Sequence, residues 1–190
     1  MQRILFWGLF GLTLSVYGTM LGWSLPTIST AAGGLVPFDM RPGGYGFDEA
    51  HAFLSALSAD GKAFYIAVQQ KLDFAYPALI ALTLFFSIAA TATQFLGRWR
   101  WVPAVLVVPV AIFDYLENHA IALMLGAGAV GLSPDLVVKA SQWTVLKSTM
   151  TAAAMIVLLA FLVLQVARFL LQFWQSRPHA ERRPVGSASR

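Results

Sequence analysis

From Ile4 to Leu25 the chain carries no charged side chain. As a helix rising about 1.5 Å per residue, these 22 residues reach roughly 33 Å, enough to cross the hydrocarbon of a bilayer. Hydrocarbon leaves no water to satisfy backbone N–H and C=O groups, so such a run can cross only as a helix. Small residues at Ser29-Thr30-Ala31 also offer a signal-peptide cleavage site, but the run is longer than the apolar core of a signal peptide. Three more apolar runs follow, at 74–96, 102–125 and 143–169. Only 12% of the chain is charged, against about 25% in soluble domains. The expected fold is an all-α integral membrane protein, a four-transmembrane-helix bundle forming one domain over 1–175. The charged, Pro-containing stretch 176–190 reads as a disordered tail.

The first loop, Pro26 to about Lys71, is long and polar, with turn signals at Gly33-Gly34, Pro37, Pro42 and Gly43-Gly44. Within it Phe47, Ala50, Phe53, Leu54 and Leu57 fall at helical spacing behind Asp48-Glu49. That pattern predicts a short amphipathic helix lying on the membrane or capping the bundle. Ser58-Ala59-Asp60-Gly61 ends it and starts the next helix. Gly97 to Trp101 forms a tight basic turn, and residues 126–141 read as a Gly-rich linker.

Eight of the thirteen Lys and Arg lie at Arg3, at Arg98 and Arg100, and from Arg168 to Arg190. This grouping beside span ends sets orientation better than it suggests nucleic acid. The termini and the short second loop belong inside, in the cytoplasm, and the first and third loops outside, across an inner (plasma) membrane. All six tryptophans fall at or near span ends, as an interfacial aromatic belt requires. Cysteine is absent, which excludes a disulfide framework, a thiolate metal site and a catalytic thiol. The three histidines are too scattered for a local metal motif, and no cofactor-binding pattern is present.

Against this apolar background stands Asp114-Tyr115-Leu116-Glu117-Asn118-His119 in the third run. A carboxylate at the centre of a membrane helix costs roughly 2.5–3.5 kcal/mol on insertion scales, so each acid marks a candidate site. Asp114, Glu117 and Asn118 share a helix face, and His119 points about 100° beyond Asn118, on its far side from Glu117. Counting from Trp101, Asp114 lies roughly 20 Å and Glu117 roughly 24 Å across a core of about 30 Å. Asp73 and Tyr76 on the second span, and Gln142, Thr144 and Lys147 on the fourth, reach the same level. Lys147 either pairs with a carboxylate or snorkels to the headgroups. If it pairs with one, the other needs a proton or Arg41 from the loop. Asp39, Arg41 and Tyr45 read either as a lid on this site or as ordinary turn residues, and Asp73 as a water-facing residue.

The functional expectation is a pocket facing the outer leaflet that binds or acid–base transforms an amphipathic, lipid-like molecule. Asp114 and Glu117 are the candidate catalytic pair. Asn118, Lys147, Thr144, Tyr76, Asp73 and Arg41 are the candidate binding residues, with Lys147 or Arg41 holding an anionic headgroup. The other reading is a non-enzymatic subunit of a larger membrane complex or a homo-oligomer. It rests on Gly8, Gly11, Ser15, Gly18 and Gly22, a stripe ending in a Gly18-x-x-x-Gly22 pair that permits close helix approach. Packing inside the chain's own bundle is the plainer expectation for that stripe. Membrane lipids are the expected partners in either case.

Overall fold

The computed structural model describes residues 2–175, so the expected tail at 176–190 lies outside the described residues. Regular structure among those residues is entirely helical. Three helices are long and apolar enough to cross a membrane: Arg3–Ala31, Ala59–Ala127 and Pro134–Gln175.

Helix α1 runs through Gln2–Thr19, a π turn at Met20–Ser24 and Leu25–Ala31. It therefore continues past the expected end at Leu25. After a loop with one 3-10 turn at Phe38–Met40, α2 covers Phe47–Ala56. The Glu49 carboxylate accepts the Gly46 N–H at 2.8 Å, anchoring its first turn. Ala50, Phe53 and Leu54 are buried, so α2 caps the bundle with its apolar stripe turned inward.

Ser58 caps the start of α3, accepting the Gly61 N–H at 3.1 Å. Helix α3 comprises Ala59–Phe64, a π turn at Tyr65–Gln69 and Gln70–Leu96. Its polar first turns belong to the same helix as the apolar run, so it begins well before Phe74. Hydropathy sees the apolar part only. Gly97, at φ +51, then reverses the chain through a 3-10 turn at Gly97–Arg100.

Helix α4 comprises Trp101–Ala104, a 3-10 turn at Val105–Val107 and Val108–Ala127. The 3-10 turn ends two residues before Pro109, whose missing N–H cannot bond the Val105 carbonyl. Helix α4 runs antiparallel to α3: Trp101 stacks on Phe85, Tyr115 Oη donates to Phe74 O at 3.0 Å, and Asn118 Nδ2 to Asp73 O at 2.8 Å. The Gly-rich linker proves shorter than expected. Helix α5 starts at Pro134, a residue suited to a first helical position, and continues through Pro134–Gln175.

Helices α3, α4 and α5 form the core, with α4 packing most extensively on α5, while α1 packs mainly along α3. Two apolar clusters stand at opposite ends. The capped end gathers Phe38, Tyr45, Phe53, Tyr65, Met124 and Leu125. The end nearer the Gly97 turn gathers Leu84, Ile88, Ala104, Val107, Val110 and Ala154. Large apolar side chains such as Ile4, Val102, Ile156, Val163 and Leu171 are at least 60% exposed, leaving the helices with an apolar outer surface.

Gly44 lets the cap close. At φ +83, a Cβ there would lie 2.6 Å from Ser141 Oγ, which itself accepts the Tyr45 N–H at 2.8 Å. Gly44→Ala should lower thermal stability in detergent by about 1–3 kcal/mol through the left-handed backbone and the clash. Ser141→Ala, which only removes the acceptor, should cost about 1 kcal/mol in the same assay.

Candidate functional site

Between the two apolar clusters lies a layer of polar side chains. Lys147 of α5 forms ion pairs with two carboxylates of α4, Asp114 at 3.5 Å and Glu117 more closely. Thr144 Oγ1, one turn before Lys147, donates to Glu117 Oε1 at 2.5 Å. Asp114 and Glu117 are one turn apart and Thr144 and Lys147 are one turn apart, so two short stripes meet across a single helix contact. Glu117 and Thr144 are fully enclosed, while the Lys147 side chain keeps 17% exposure and that of Asp114 9%. The layer is therefore enclosed at Glu117 and Thr144 and partly exposed at Lys147 and Asp114.

Pro77 explains how α3 joins. It has no N–H, so the Asp73 carbonyl four residues back has no intrahelical donor, and Asn118 of α4 supplies one. The Asp73 carboxylate is buried and accepts from Gln69 Nε2 at 2.8 Å. The expectation of a water-facing Asp73 is thus corrected: α3 extends well beyond it, and the cap covers that extension. Gln69 also accepts from Ser24 Oγ. These two residues sit in the two π turns, which face each other across the α1–α3 contact. The polar chain Ser24–Gln69–Asp73 thereby ties α1 to the site.

The first loop contributes more than a turn. Tyr65 Oη donates to Asp39 Oδ2, and Asp39 lies within electrostatic range of Asp73, Asp114, Glu117 and Lys147. Tyr45 is buried against Phe38. Burial, then the nearby Glu117 charge, hold its phenol above the ordinary range, so it is a neutral donor. Its hydroxyl sits beside Thr144 without a well-formed hydrogen bond, and Asn118 Oδ1 is likewise buried without a partner among the described residues.

Arg41 does not fold into the layer. Its Nη2 donates to Val36 O at 2.7 Å and its Nη1 pairs with Glu49 at 3.5 Å, which holds the loop to α2. Of the two expectations for Lys147, the pairing is the one observed, with both Asp114 and Glu117. Tyr76 stacks on Tyr17 of α1 at 5.6 Å, within electrostatic range of Asp114 and Lys147. Gln142 and His119 are exposed and stand apart. Gly18 and Gly22 do not pack inside the bundle: no atom would lie within 4 Å of a Cβ at either, or at Gly8 or Gly11. The stripe faces away from α3, which α1 meets instead through Thr13, hydrogen-bonded to Thr83 at 2.8 Å.

Sequence reasoning left Tyr65, Gln69 and Ser24 outside the site and read Asp39 either as part of a lid or as a turn residue. Gln69, four residues before Asp73, was visible as an i,i+4 partner. The other three reach the site through a loop fold and two π turns that no local pattern encodes. No protein-family model, curated protein or solved structure matches the chain.

Two carboxyls, Asp114 and Glu117, thus pair with one ammonium, and those of Asp39 and Asp73 lie within electrostatic range of it. No group of three acids or histidines among the described residues is placed to hold a metal ion. The arrangement can hold protons, or the donor groups of a ligand, against its excess acceptors. Lys147→Met should destabilise the fold by about 3–5 kcal/mol, since it leaves two carboxylates facing one another without their cation. Thr144→Val should cost about 1–3 kcal/mol in the same thermal assay.

Proposed function

We propose that this chain is a four-span protein of an inner (plasma) membrane whose polar layer receives the head group of an amphipathic, lipid-like molecule. Helices α1, α3, α4 and α5 are the spans. The basic Gly97 turn and both termini are cytoplasmic, and the cap of loop and α2 is on the outer side. The single observation that carries the ligand reading is the flank at Lys147 and Asp114. It is the accessible side of an otherwise enclosed layer, and at this depth it opens toward the outer leaflet.

The chemistry of the layer favours a head group that donates hydrogen bonds, such as an alcohol or amine. An anionic head group is disfavoured, because Lys147 is engaged by two carboxylates and Arg41 by Glu49. Asp114 and Glu117 then exchange a proton with the bound group, while Tyr45 and Asn118 supply a donor and an acceptor to orient it. Asp73, Tyr76 and Thr144 line or brace the layer.

A second reading has its own support. The uncovered face of Gly8, Gly11, Gly18 and Gly22 suits an apposed helix from a second copy or a larger complex.

Native mass spectrometry of the detergent-purified protein separates the readings. Wild type should retain a lipid-like mass that Glu117→Gln loses, with the variant still folded. Bare protein in both samples, with a sharp fall in the variant's melting temperature, would instead assign Glu117 to a structural network. Gly18→Leu should leave the retained mass unchanged; if it breaks an oligomer in the same spectrum, the assembly reading gains.

A further inference from the structure

The end of the bundle opposite the cap has polar side chains of its own. There α3 ends and the second half of α5 passes beside it. Gln165 Nε2 of α5 donates to Thr91 O at 2.9 Å, and Arg168 Nη1 donates to Gln94 O at 3.3 Å. Between these helices lies an open groove of about 370 Å³, with Gln94, Gln165, Arg168 and Gln172 on its polar wall and Phe169 on its apolar one. A guanidinium has five N–H donors, and Gln94 O takes one of them.

Among the described residues the charge around this groove is one-sided. Arg98 and Arg100 lie on the adjoining turn, and the antiparallel register of α1 and α3 brings Arg3 to the same end. The sequence has no Asp or Glu over 4–38, 74–113 or 136–180, so no carboxylate from these stretches compensates them. The ion pairs among the described residues all lie at the other end, on Arg41 and Lys147. Arg98 covers the Trp99 ring at 5.4 Å and Arg100 the Trp101 ring at 4.5 Å. Both tryptophans are exposed, an arrangement that holds cations at headgroup depth.

We infer that this groove binds the phosphate of an anionic phospholipid from the cytoplasmic leaflet. Arg168 clamps the phosphate, Gln165 and Gln172 bond its ester and glycerol oxygens, and Phe169 and Val166 carry the start of an acyl chain. Arginine is suited to this because its planar fork meets two phosphate oxygens at once. The occupant is a lipid and not a free anion because the groove lies on the apolar flank of a spanning helix, where a chain-bearing molecule arrives by lateral diffusion. The inference rests on the membrane reading above but not on the outer ligand site.

The test uses the full-length, delipidated protein offered phosphatidylglycerol or phosphatidylcholine of matched chains, with bound lipid counted by native mass spectrometry. Wild type should retain the anionic lipid about fivefold or more over the zwitterionic one for each arginine engaged. Arg168→Gln should remove most of that preference, Arg168→Lys should restore part of it, and millimolar inorganic phosphate should not displace the lipid. Equal retention of both lipids overturns the proposal, as does an unchanged preference in Arg168→Gln. Displacement by inorganic phosphate would show a free-anion site and overturn it too. If Arg168→Gln does not fold, the wild-type comparison and Gln172→Leu, expected to weaken retention, still decide. Glu117→Gln should keep the phospholipid preference. A chain that is soluble without detergent would refute the membrane reading itself, whereas a detergent-dependent chain without lipid preference refutes the groove alone.

Discussion

The ion pair of Lys147 with Asp114 and Glu117 is the contact on which the arrangement of the helices depends. Apolar side chains give little reason for helices to associate in hydrocarbon, where lipid tails are equally good neighbours. Polar groups do give a reason, because leaving one unpaired is expensive there. Helices α4 and α5 are joined by the ion pair and the Thr144 bond, and α3 is joined to α4 by Asn118. Helix α1 is joined to α3 by Ser24 with Gln69 at one level and by Thr13 with Thr83 at another. The polar layer thus fixes register along the bundle axis, which interchangeable apolar contacts do not.

The same layer carries more acids than the fold requires. A structural tie needs one carboxylate for one lysine, and here two pair with it, with those of Asp39 and Asp73 within electrostatic range and atoms on Tyr45 and Asn118 unpartnered among the described residues. Such a surplus is costly in an enclosed site, and the proposed function offsets it with protons or donor groups from a ligand. The cap covers one end of this site. Phe38 fills the apolar cluster, Asp39 meets Tyr65, and Arg41 pins the loop to α2. Lys147 and Asp114 keep partial exposure.

Much of this was legible in the residues. The apolar runs, the short amphipathic helix, the Gly97 turn and the shared face of Asp114, Glu117 and Asn118 all follow from periodicity and turn chemistry. Lys147 and Thr144 were readable as their counterparts because both runs place them at one depth. Helix ends were less legible: α1 extends beyond Leu25, α3 begins before Phe74 and α5 before Trp143, because polar turns continue a helix past the point where hydropathy falls.

The sequence by itself determined that the chain is helical, that its helices are long and apolar enough to cross a membrane, and which run holds the acids. Those properties are local, set by backbone satisfaction and by a repeat of 3.6 residues. Only the tertiary structure decided that Lys147 joins both acids, that Asp73 is buried, that Arg41 belongs to the cap and that the glycine stripe of α1 stays uncovered. Each of these depends on how one helix is rotated and shifted against another. Two π turns and a proline-freed carbonyl set that shift, and no periodicity in a single segment encodes it.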